Sequence, residues 1–194
     1  MNCNYAFDDC SILNMCSVEI PAPFRDIFKA DRLYSPNFIK LNDFSNYLKS
    51  NKNIPYRFIP SNFEKNSIRV AKELLAKKSI NPLMVRGLNS KIIDYLNEFS
   101  EKVKQDFQTI QKSDNITNLK HLFTKSEQKL TREGNIPEDD DLKIMKGYEE
   151  FCCLGKKLLI SMDEHFWGYK DLIFKELGII IIPEWDCDKC IFSK

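Results

Sequence analysis

Four consecutive isoleucines, Ile179 to Ile182, stand between Gly178 and Pro183. An unbroken apolar run of strand length, bounded by a helix-ending glycine and a proline, is the signature of a β-strand covered on both faces. Leu158-Leu159-Ile160 repeats the pattern, and Tyr5-Ala6-Phe7 reads as a shorter first strand ending at Asp8-Asp9. Tyr56 to Ile59 predicts a further strand closed by Pro60, and Leu33-Tyr34 a brief one before Pro36. Strands covered on both faces need helices above and below. The chain therefore reads as α/β, with a parallel sheet flanked by helices.

The segments between these strands carry helical patterning. Phe24, Ile27 and Phe28 recur at helical spacing, as do Phe38, Leu41, Phe44 and Leu48 after Pro36. Ser61 and Glu64 form a capping-box pattern for a helix running towards Lys78. No Gly or Pro interrupts residues 88–133, where Ile92, Leu96, Phe99, Val103, Phe107 and Ile110 follow steps of three or four. This predicts a long amphipathic helix. Ser113-Asp114-Asn115 then ends it and caps a second helix bearing Leu119, Leu122 and Phe123, so the stretch 88–133 reads as an inserted helical hairpin. Asp139-Asp140-Asp141 opens a helix expected to reach Leu154, where three acids suit the positive end of the helix dipole. A last helix is expected over Phe166 to Leu177. The 194 residues suit one domain, 1–194, with this insertion and a short CxxC tail at 184–194.

Composition narrows the function. The formal net charge of +1 argues against a generic polyanion binder. Its distribution is uneven: residues 61–133 hold 14 Lys/Arg against 9 Asp/Glu, and residues 134–194 hold 8 against 13. A basic middle beside an acidic end suits a nucleic-acid surface next to a metal site, and equally suits solvated helix faces. No run approaches the roughly 20 apolar residues of a membrane helix, and no signal-peptide pattern opens the chain, so a cytoplasmic protein without a membrane partner is expected. Seven cysteines at irregular spacing argue against a disulfide framework. Cys187 and Cys190 form a lone CxxC pair without the second ligand pair that a structural zinc needs.

The acids carry the functional argument. Ligands of open parallel sheets gather at the carboxyl ends of strands. Asp9, or its neighbour Asp8, ends the first strand; Asp163 follows the Leu158–Ile160 strand; Asp141, with Asp140 as its rival, begins the preceding helix. Such carboxylates supply the oxygen ligands that hard divalent cations require. Two such ions roughly 4 Å apart can activate a water and stabilise the leaving oxygen of a phosphodiester. Taken singly, each acid is as well explained as a turn residue or helix cap.

In order, these segments resemble the PIN-domain family of metal-dependent ribonucleases. Asp9-Cys10-Ser11-Ile12-Leu13 resembles the opening motif, an Asp followed two residues later by Ser, Thr or Asn. Pro137 to Ile144 resembles the third-acid motif, with Ile144 three positions after Asp141. Leu158 to Phe166 resembles the family's hydrophobic strand followed by Ser-x-Asp-x-x-Phe, and Leu177-Gly178-Ile179 its final helix-to-strand step. The family's usual second acid is a glutamate; Leu33 to Phe44 resembles that passage but places Asp43 there, with Glu64 as the alternative.

The resemblance implies a three-layer Rossmann-like fold and an endoribonuclease, toxin-type or RNA-processing. In it Asp9, Asp43, Asp141 and Asp163 hold Mg²⁺ or Mn²⁺ and act in catalysis. Ser11 and Ser161 would hydrogen-bond to carboxylates or water. His165 and Trp167 are candidates for contact with the RNA, by phosphate binding and base stacking. It also implies an antitoxin or processing partner and a homodimer. The alternative is a non-catalytic PIN-like module that binds RNA or protein.

Overall fold

The computed structural model describes residues 3–8, 57–60, 107–127, 136–151, 155–161 and 163–183, with single positions at 11, 46, 50, 65, 69, 91, 93, 94, 97, 98, 101, 105 and 186. Among the described residues, five strands form one sheet: β1 (Cys3–Phe7), β2 (Arg57–Pro60), β3 (Gln108–Ile110), β4 (Lys156–Ser161) and β5 (Ile179–Pro183). Their order is β3-β2-β1-β4-β5, and every pairing is parallel. The helices with described bounds are α1 (Thr117–Glu127), α2 (Asp139–Glu150), α3 (Glu164–Trp167) and α4 (Lys170–Leu177). The protein is thus mixed α/β on a parallel sheet.

The order runs outward from β1 in one direction to β3 and from β4 in the other to β5. Between β1 and β4 the direction of chain progression reverses, which opens a crevice at the strands' carboxyl ends. Register aligns Phe7 with Ile160, so the next residue of each strand, Asp8 and Ser161, falls at that crevice.

The core lies around the two central strands. Phe7, Leu159, Ile160, Met145, Tyr148 and Phe166 are wholly enclosed. Burying an aromatic side chain of this kind contributes roughly 2–3 kcal/mol. Tyr148 also carries a hydroxyl, whose single proton goes to the Asn4 carbonyl (2.9 Å) and is shared more weakly with that of Leu158 (3.3 Å), fastening α2 to β1 and β4. One turn face away, Gly147 meets the backbone of Gln111: a Cβ there would lie 2.0 Å from the Gln111 carbonyl oxygen. Glycine at mid-helix normally costs about 1 kcal/mol, and here the close approach of β3's exit requires it.

The structure departs from the sequence expectations at four places. Residues 88–133 are not a plain helical hairpin. The described positions from 91 to 105 are helical, but Gln108–Ile110 is a strand paired with β2 through Phe58, Ile59 and Pro60. Phe107 and Ile110 are buried and satisfy the sheet, Phe107 meeting Phe7 edge-to-face at 5.5 Å. Helical spacing and a short strand share such positions, so periodicity alone could not separate them.

The helix opened by Asp139 stops at Glu150, because Phe151 is extended (φ −66°, ψ 120°). The expected single helix from Phe166 breaks at Gly168 and Tyr169, where Tyr169 turns inward against Phe123 (5.3 Å, 68°). Finally, among the described residues β5 lies at the edge of the sheet. Ile179 and Ile181 are buried, whereas Ile180 and Ile182 are only partly covered.

Gly178 adopts φ 66° and donates its N–H to the Phe174 carbonyl, ending α4 in the left-handed conformation that glycine adopts without strain. The expected strand at Leu33-Tyr34, the cysteines at 152, 153, 187 and 190, and the tail at 184–194 apart from Asp186 lie outside the described residues. Among the described residues, no helix is long and apolar enough to cross a membrane.

Candidate metal and phosphodiester site

Asp8 follows β1 and extends its ladder by donating its N–H to the Ile160 carbonyl at 3.1 Å. The same carbonyl accepts the Ser11 hydroxyl at 3.2 Å. Asp8 and Ser11 thus both donate to one oxygen. Ser11, expected to hydrogen-bond to a carboxylate or water, is instead buried and serves the backbone.

Ser161 ends β4 and is fully buried. Its hydroxyl donates to Asp8 Oδ2 at 2.9 Å and accepts the N–H of Asp163 at 3.0 Å. A serine hydroxyl has one proton and two lone pairs, so it can serve both neighbours at once. Asp163 sits at the N-cap position of α3, yet its side chain makes no capping hydrogen bond; its carbonyl receives the N–H groups of Phe166 and Trp167. The capping explanation thus accounts for its backbone and leaves its carboxylate over.

Asp141 enters from α2. The three consecutive acids of that helix diverge because successive residues are turned by about 100° around the axis. Asp139 pairs with Lys120 (2.7 Å) and Asp140 with Lys112 (3.0 Å), both on the surface. Only Asp141 faces inward, its side chain 18% exposed. Its Oδ2 accepts the Glu138 N–H at 3.0 Å and lies 3.3 Å from His165 Nδ1. Its Oδ1 has no partner among the described residues.

Burial pushes the Asp141 carboxyl up to about 6, and the nearby Asp163 carboxylate adds to the rise; the Glu138 N–H and His165 oppose it. A carboxylate shifted this far by burial and by a like charge in a cleft is a marker of a functional site.

Two sets of contacts meet at Asp163: Ser161 joins the Asp8 carboxylate to the Asp163 backbone N–H, and the Asp163 carboxylate lies near Asp141, which pairs with His165. Of the expected ligands, Asp141 and Asp163 approach one another, and Asp140 points away to Lys112. Asp9, Asp43 and Glu64 lie outside the described residues. Asp8, the alternative to Asp9, follows β1 in a parallel register that sets it beside Ser161. Trp167 is half-buried against the hydrophobic core. His165, weighed from sequence as a phosphate contact, is the partner of Asp141.

Among the described residues, no three His, Cys, Asp or Glu side chains already stand close enough to hold one ion. The donors that are present are carboxylate oxygens, which suit a hard cation such as Mg²⁺ or Mn²⁺ better than a thiophilic metal. No family model matches the chain, and no curated protein or solved structure is significantly similar to it.

Proposed function

We propose that this protein is a PIN-like, Mg²⁺- or Mn²⁺-dependent endoribonuclease. The observations that support the reading are the Ser161 hydroxyl, which joins the Asp8 carboxylate to the Asp163 backbone at the ends of β1 and β4, and the nearness of the Asp163 carboxylate to Asp141. Open parallel sheets place ligand sites in the crevice at those ends. Burial is the chief cause of the raised Asp141 pKa and the Asp163 carboxylate adds to it, a repulsion that a cation between the two would relieve.

Asp8, Asp141 and Asp163 would hold the cation, with Asp9, Asp43 or Glu64 completing the set. The bound cation supplies charge neutralisation at a phosphodiester and a more acidic water. Ser161 positions the Asp8 carboxylate and the Asp163 backbone at once. His165 lies against Asp141, where its imidazole orients that carboxylate and borders the space an RNA phosphate would occupy. Cleavage of this kind leaves a 3′-hydroxyl and a 5′-phosphate.

The test is direct. Purified protein with Mn²⁺ is expected to cut single-stranded RNA, and Asp163→Asn to abolish cutting while keeping the fold. Retained binding of RNA with no cutting under any divalent ion would instead support the non-catalytic PIN-like module. Toxin-type and RNA-processing roles share this chemistry, as does assembly with an antitoxin, a processing partner or a second copy.

A further inference from the structure

We draw no further inference here: the strongest candidate, the partly covered apolar patch at Ile180 and Ile182 of β5, at the edge of the sheet among the described residues, carries nothing because nothing in the structure shows what covers it.

Discussion

The Ser161 hydroxyl donates a 2.9 Å hydrogen bond to Asp8 Oδ2, joining residues 153 positions apart in the chain. That bond exists because β1 and β4 are parallel neighbours in a register that puts Asp8 and Ser161 side by side. It converts two strand ends into one polar centre inside an otherwise apolar layer.

Ser161→Ala removes the donor to Asp8 and the acceptor for the Asp163 N–H together. Removing one donor from a buried carboxylate costs roughly 1–3 kcal/mol. Urea unfolding monitored by circular dichroism is expected to show a lower midpoint with an unchanged slope. An unchanged midpoint would mean that the hydroxyl holds nothing.

Asp141 gives a pH signature of stated sign. Its carboxyl is raised from 3.8 to about 6 in the folded state, chiefly by burial. The folded protein therefore keeps this proton when the unfolded chain has already lost it. The stabilising effect of that proton is complete below about pH 4 and lost as pH rises through about 6, on the order of 3 kcal/mol in all. Asp141→Asn carries no such charge and keeps an oxygen for the Glu138 N–H. Relative to wild type, it should gain stability between pH 4 and 7. Parallel pH–stability curves for the two proteins would refute the shift.

Gly147→Ala tests the close approach of α2 to the end of β3. An added Cβ would lie 2.0 Å from the Gln111 carbonyl oxygen, and both partners are backbone. The helix propensity gain of alanine, about 1 kcal/mol, is smaller than the overpacking cost of roughly 1–3 kcal/mol or more for atoms that cannot rotate away. A lower melting temperature is expected. A rise would show that helix and loop separate easily.

Divalent cations should stabilise the fold if the carboxylates take one up. Mn²⁺ at about 100 times its dissociation constant would add close to 2.7 kcal/mol to unfolding. Thermal melts should move upward with Mn²⁺, return on addition of a chelator, and show no response in Asp8→Asn. An equal response in Asp8→Asn would remove that residue from the proposed ligand set.

Much of the architecture was written in local pattern. The isoleucine run at 179–182 and the apolar strand at 158–160 were legible as strands of a parallel sheet, because continuous apolar character over strand length has few other uses. The acids at 141 and 163 were legible as candidates because each follows or precedes such an element. Tertiary structure alone decided that Asp8 stands beside Ser161, that Asp140 turns away to Lys112, and that His165 meets Asp141.

It also decided that Gln108–Ile110 joins the sheet. Spacing along a chain reports which residues share a face of one element. Strand order and register set which faces meet, and those depend on contacts between segments far apart in the chain, as Phe7 and Ile160 are.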